Sequence, residues 1–157
     1  MGANTSTATR DVLDAVRRIV QTLHESSRSA EHHLGVSGAQ LFVLQRLAER
    51  PAASLNELAA RTHTHQSSVS VVVARLAERG LVRRAAAKDD GRKREITLTA
   101  AGHLLAARAP HAAQDRLIAA IQQLSPARRA ELADVLTDLA TKVSGTRRAG
   151  MFFESPK

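Results

Sequence analysis

Residues 54–102 read SLNELAARTHTHQSSVSVVVARLAERGLVRRAAAKDDGRKREITLTAAG. Ser54-Leu55-Asn56-Glu57 has the spacing of a capping box, in which a Ser side chain and a Glu three residues on satisfy each other's free backbone N–H groups. It opens a short helix over about 55–61. The polar Arg61-Thr62-His63-Thr64-His65 that follows is too short for anything but a turn. Thr64 is placed to cap a second helix over about 65–79, which Gly80 terminates. Two short helices across a turn of three or four residues form the outline of a helix-turn-helix. The period then changes. Leu81-Val82-Arg83-Arg84-Ala85 and Arg94-Glu95-Ile96-Thr97-Leu98 are β-compatible, and the polar loop between them carries Asp90-Gly91 near its tip, so a hairpin wing is predicted.

The flanks are helical. Val12, Leu13, Val16, Ile19, Val20 and Leu23 recur at helical spacing in a long helix over 10–33 that Gly35 stops. Ser37-Gly38-Ala39-Gln40 is a second capping box, with Val36 and Leu41 as its hydrophobic staple, and the helix it opens ends before Pro51. Thr99 caps a helix running to about Gln123 that Pro110 should kink or break. Ser125 and Pro126 start a last helix, whose apolar stripe is Leu132, Val135, Leu136, Leu139 and Val143. The division is therefore 1–35 as an N-terminal arm and first dimerisation helix, 36–99 as a winged helix-turn-helix domain, 100–145 as C-terminal dimerisation helices, and 146–157 as a tail that ends basic and then apolar. The fold class is mainly α with a small β-hairpin wing.

The 157 residues carry 23 Lys+Arg against 15 Asp+Glu, a formal +8. Eight cations and three acids fall between Arg75 and Arg94, so a net five of those charges sit beside the second short helix. A basic stripe there is the electrostatic footprint of a nucleic-acid binder. Of 68 apolar residues 29 are Ala, which leaves little bulk for a free-standing core and favours a dimer built on the first and last helices, with Leu13, Val16, Val20, Leu132, Val135 and Leu139 at its interface. The absence of Cys excludes disulfides and thiol switches. No apolar run approaches the length of a membrane span, and the first ten residues lack the apolar region of a signal peptide, so a cytoplasmic location and no membrane partner are expected.

Short hydroxyl and amide side chains at the start of a helix suit a major groove, because they reach base edges and phosphates without bulk. Thr64, His65, Gln66, Ser67, Ser68, Ser70 and Val71 are the candidates, with Arg75, Lys88, Asp90, Arg92 and Lys93 supplying charge. Asp90 stands two residues before Arg92 and can hold its guanidinium outward, toward a narrow minor groove.

The order and spacing of Val69-Ser70, of Leu76 through Gly80-Leu81-Val82-Arg83, of Asp90-x-Arg92 and of Leu98-Thr99-x-x-Gly102 resemble the MarR family of winged-helix transcriptional regulators, and the resemblance extends over about residues 10–145. It implies a homodimer with interlocked terminal helices, bound to a pseudo-palindromic double-stranded operator. Recognition helices would lie in successive major grooves and wings in the flanking minor grooves, with Arg92 the wing-tip arginine. Most such proteins are repressors released by a small aromatic or acidic ligand, held between the dimerisation helices and the winged helix. His24, Phe42, Arg46 and His103 are the candidates to line that pocket. The sequence departs from the usual motif at the turn, where polar Thr62, His63 and Thr64 replace apolar residues and a Gly.

No cofactor and no metal are expected, since none of the seven His pairs at the i,i+4 spacing of a helical metal site. No Gly-rich phosphate loop, Cys nucleophile or paired-acid motif points to an enzyme. The competing readings are an architectural nucleic-acid binder that uses charge without base readout, and a degenerate winged helix that serves as a protein-interaction module.

Overall fold

A computed structural model of the chain describes residues 2–86 and 94–145. The predicted wing-tip residues Lys88, Asp90, Arg92 and Lys93, and Met151, Phe152 and Phe153 of the tail, lie outside the described residues.

The elements follow in the order α1 (Gly2–Leu34), α2 (Gly38–Glu49), α3 (Leu55–Arg61), α4 (Gln66–Glu78), β1 (Val82–Ala86), β2 (Arg94–Leu98), α5 (Ala100–Arg108), α6 (Ala113–Gln122) and α7 (Pro126–Ser144). This is the predicted mainly α chain with an antiparallel hairpin. The Ser37 capping box forms in full: Gln40 N donates to Ser37 Oγ at 3.2 Å, and Ser37 N donates to Gln40 Oε1 at 3.1 Å. The Ser54 box forms in part. Glu57 N donates to Ser54 Oγ at 3.1 Å, but the Glu57 carboxylate accepts from Ala53 N at 2.7 Å, one residue before the cap. Pro110 breaks the helix that starts at Thr99 into α5 and α6, as the missing N–H and the ring require.

Three expectations need correction. The first helix starts at Gly2 rather than near Arg10, since no proline interrupts the intervening residues. β1 is displaced by one residue and begins at Val82. Thr64 does not cap α4: the cap is His65, without a side-chain hydrogen bond. The cause lies in the turn. His63 takes a left-handed φ of 51°, and Thr64 N donates back to Ala59 O at 3.0 Å, so α4 starts one residue later. Buried Thr62 is accommodated because its hydroxyl bonds Leu58 O at 2.8 Å and Ala59 O at 3.2 Å. A polar residue thus occupies an apolar position with its hydrogen bond satisfied.

The core gathers around α2. Phe42, Leu44 and Leu47 meet Leu58 from α3, Val69, Val72 and Leu76 from α4, and Ile96 and Leu98 from β2, all buried. The hairpin pairs Val82 with Leu98 and Arg84 with Ile96. Ala52 adds a third backbone rung, because Ile96 N donates to Ala52 O at 2.7 Å and Ala52 N to Ile96 O at 3.0 Å. The wing is thereby anchored to the α2–α3 connection.

The terminal helices contrast with this body. α7 buries no residue, and Val12, Leu13, Val16, Ile19 and Val20 of α1 are exposed, as are Val135, Leu136, Leu139 and Val143 of α7. The link into α6 is better fixed. Buried Gln45 of α2 donates to Pro110 O at 2.9 Å and accepts from Ala112 N at 3.0 Å, and Ala113 N donates to Ser26 Oγ of α1 at 3.3 Å.

Gly102 marks the tightest approach. A Cβ there would lie 2.1 Å from Leu81 O, where α5 crosses the entrance to β1. Gly102→Ala should therefore cost about 1–3 kcal/mol, the usual penalty of overpacking. It would appear as a lowered thermal midpoint, and an unchanged midpoint would mean that α5 does not press on Leu81.

Candidate nucleic-acid interface

Packing decides which face of α4 is displayed. Val69, Val72 and Leu76 point into the core, while Leu58 and small, buried Ala59 let α3 cross close behind. Gln66, Ser67, Val71, Ala74 and Glu78 are left outward, with Ser68, Ser70 and Arg75 half-buried on the shoulders. Thr64 is half-buried and His65 exposed at the helix entrance, so all eight sequence candidates on this segment surround one face and its start. Ser70 Oγ donates to Ser67 O at 2.8 Å, which turns its proton toward the helix backbone.

One basic residue beside this face was counted in the basic stripe but not among the candidate contacts. Arg84 on β1 joins Ser54, Asn56 and Gln66 around a cavity of about 230 Å³ between the start of α3, the start of α4 and the hairpin. The rung from Ala52 to Ile96, Arg84's strand partner, brings these residues together. Nothing local in the sequence marks a single-residue bridge. With no side-chain cap at α4 and a guanidinium at the cavity, this end of the helix offers donors to a phosphate oxygen. Arg83 is also exposed on the same strand. Not every arginine here is available in this way. Arg79 donates to Gly35 O at 2.7 Å and to Gln40 Oε1 at 3.2 Å, tying the end of α4 to the α1–α2 corner.

Arg61 was likewise not among the candidate contacts, and its work is structural. Its guanidinium donates to the carbonyls of Arg46, Arg50 and Pro51, which closes the C-terminal end of α2, and Glu57 stands 3.9 Å away. Burial, then the nearby Arg50, pull its pKa below the ordinary arginine value, with Glu57 opposing.

None of the predicted effector residues His24, Phe42, Arg46 and His103 lines the cavities seen among the described residues between α1 and α6, at the α5–α6 link or at the start of α4. Phe42 is buried in the core with the Arg46 guanidinium 5.5 Å from its ring centre. Arg46 is held by Glu49 at 2.7 Å and by Asp115 of α6 at 3.1 Å. His24 and His103 are exposed on α1 and α5. A cavity of about 590 Å³ opens instead between α1, α2 and the α5–α6 link, and His33, Arg108, His111 and Arg116 line it together with Glu25 and Ser26. Among the described residues no three His, Asp or Glu side chains are placed to hold a metal ion, and no helix is long and apolar enough to cross a membrane.

The MarR family model matches residues 34–93. Among solved structures, the chain is similar to a probable transcriptional regulator from Pseudomonas aeruginosa, at 28% identity over 83% of this chain and 98% of that one, with a TM-score of 0.52. BpsR of Bordetella bronchiseptica, whose DNA binding is regulated by 6-hydroxynicotinic acid, is 25% identical over 84% of this chain and 91% of its own, with a TM-score of 0.52. A MarR/EmrR family transcriptional regulator from an Acinetobacter species shares the fold at 21% identity, over 89% and 95% of the two chains, with a TM-score of 0.54. A search among curated proteins returns no match.

Asp115 gives this region a pH signature. Burial raises its pKa above the ordinary aspartate value, Arg46 and His111 pull it back, and Glu49 adds to the rise. A folded-state value above the unfolded one means that the folded protein holds this proton more tightly. Its stabilisation is full below about pH 4 and is lost as pH rises through the raised value. Thermal midpoints of Asp115→Asn should therefore gain on the parent as pH climbs through that window. A difference that moves the other way would mean that the Arg46 ion pair outweighs burial.

Proposed function

We propose, from the match of residues 34–93 to the MarR family model and from the winged-helix fold shared with solved transcriptional regulators, that the chain is a sequence-specific, dimeric DNA-binding regulator, a repressor released from pseudo-palindromic operators by a small-molecule effector. The observation that carries this reading is the outer face of α4. Its start is polar and carries no side-chain cap, Val69, Val72 and Leu76 hold it outward, and Arg84 lines the cavity beside that start. Residues 36–99 form the DNA-reading unit, and 1–35 with 100–145 form the dimerisation arms.

A second copy of the chain is the partner proposed for those arms. Two exposed apolar stripes, one on α1 and one on α7, are costly in water and complementary to each other's chemistry. Leu13, Val16, Val20, Val135 and Leu139 are exposed on them and Leu132 is half-buried, as an interface requires. A two-fold dimer would set its recognition helices about 34–36 Å apart, one turn of DNA. Its formal charge would be +16, twice the +8 of one chain.

The effector is assigned to the cavity between α1, α2 and the α5–α6 link. His33, Arg108, His111 and Arg116 around it favour a small carboxylate, and the cavity abuts the Gln45 and Asp115 contacts that join α2 to α6. BpsR, with its hydroxynicotinate, supports an acidic aromatic ligand.

Selection of bound duplexes from a random library tests the reading. It should return two inverted half-sites one helical turn apart. A specificity ratio near one at fixed salt would favour the architectural alternative instead. On the selected duplex, affinity should fall steeply with salt, with a log–log slope of about −0.9 for each of about 6–10 phosphates contacted. Arg92→Ala should weaken all sequences alike, whereas substituting Gln66 or Ser68 should change which sequences are preferred. Val16→Glu combined with Leu139→Glu should yield a monomer in sedimentation, with operator affinity lost.

A further inference from the structure

The outward stripe of α4 is unusual in what it lacks. Directly opposite the buried Val69, Val72 and Leu76 lie Ser67, Val71, Ala74 and Glu78, each exposed. No Arg, Lys or Asn stands among them. The only cation on the helix, Arg75, is half-buried on the shoulder. Guanine is most often read in the major groove by a bidentate Arg or Lys, and this stripe has neither. What projects from it is apolar. Val71 is 40% exposed and is flanked by Ser67 and Ala74, whose small side chains let the helix surface come close to base edges. Gln66, exposed at the helix start, matches the N6 and N7 pair of adenine.

Resting on the regulator reading above, we propose that each half-site is read chiefly through thymine: Val71 and Ala74 pack against C5-methyl groups, and Gln66 takes the edge of an adenine. The thymine methyl is the one apolar group that a base pair presents in the major groove, so an exposed Val–Ala pair at i,i+3 has one complementary target there. The length also fits. Ser67 to Ala74 spans about 10 Å of helix at 1.5 Å per residue. That is the rise of about three base pairs at 3.4 Å each. Glu78, one turn further on, ends the stripe with a carboxylate that phosphates would repel. The readable core of a half-site is therefore about three base pairs long and rich in A·T.

The test removes the methyl and nothing else. In the duplex recovered by selection, each thymine is replaced in turn by deoxyuridine, which keeps the base pair, and affinity is measured for the parent protein and for Val71→Ala. One or two positions in each half-site should lose about four-fold, the factor that burying one such carbon supplies. At the position Val71 touches, the loss should vanish in Val71→Ala. The readout on DNA chemistry is independent of whether any variant folds. If every deoxyuridine duplex binds as well as its parent while selected DNA is still preferred over random DNA, methyl readout is overturned and the regulator reading stands. Selected half-sites with only G·C pairs at their core would overturn it equally. If no duplex is preferred over random DNA, the regulator reading itself fails and takes this inference with it.

Discussion

Burial of Val69, Val72 and Leu76 against α2 and α3 is the constraint on which the rest of the molecule hangs. These three side chains are inaccessible to solvent. Rotating α4 to show any other face would expose them and bury Ser67, Ala74 and Glu78 in their place. At roughly 1.5–3 kcal/mol for each large apolar side chain removed from water, plus the cost of burying a carboxylate, that rotation is closed to the folded protein. The outward stripe is thus a by-product of core packing. The same anchoring sets the wing. Leu81 N bonds back to Leu76 O at 2.9 Å through Gly80, whose φ of 67° suits the reversal, and β1 departs from a fixed point.

A second level of organisation lies where the α2 body meets the arms. Gln45 stands in for a strand partner, giving one donor and one acceptor to the backbone of the α5–α6 link where Pro110 has removed an N–H. Ser26 on α1 receives the first amide of α6, and Arg46 reaches Asp115 two residues later. Arg79 makes the matching tie at the other end, from α4 to the α1–α2 corner. The α2 body and the arms are therefore joined by directional polar contacts as well as by the apolar packing of Ala30, Leu34, Leu105 and Ala106. Directional contacts change discretely when a neighbour is displaced, and the cavity lined by Arg108, His111 and Arg116 sits against them. An anion placed there would compete for His111, which stands 4.0 Å from Asp115.

How much of this was legible in the sequence depends on the range of the interaction. The capping residues Ser37, Ser54, Thr99 and Ser125, the stop at Gly80 and the break at Pro110 act within four residues, and each was readable from its neighbours. The face of α4 was readable too, because helical periodicity separates Val69 and Val72 from Ser67 and Val71. The start of α4 was not. A left-handed His63 depends on Thr62 being pulled inward, and a sequence shows no such pull. Arg84's neighbours, the carbonyls around Arg61 and the two ends of Gln45 join positions ten to sixty-seven residues apart, or meet through a single bridge. Phe42 and Arg46 were candidates for a ligand pocket only through the pocket that the family resemblance implies. The core claims the first, and two carboxylates hold the second.

The low content of bulky apolar residues takes on a different meaning once their placement is known. The body is well supplied: Phe42, Leu44, Leu47, Leu58 and Leu76 are wholly buried there. The shortage is confined to the arms, where the large apolar side chains stay exposed in two stripes and α7 buries nothing. A chain that merely lacked bulk would economise everywhere. This one completes its reading head and leaves its arms unfinished, a distribution that makes sense when a second surface must supply the missing half. In the proposed dimer, symmetry would then follow from economy, since the stripes on α1 and α7 are the surface most readily at hand for each other. A two-fold arrangement of rigid reading heads on shared arms would convert arm geometry directly into the spacing of two helices on DNA. In such a molecule the polar contacts at Gln45, Arg46 and Asp115 would act together with Arg79, Ser26 and the packing of Ala30 and Ala106 in carrying the position of the arms to the face of α4.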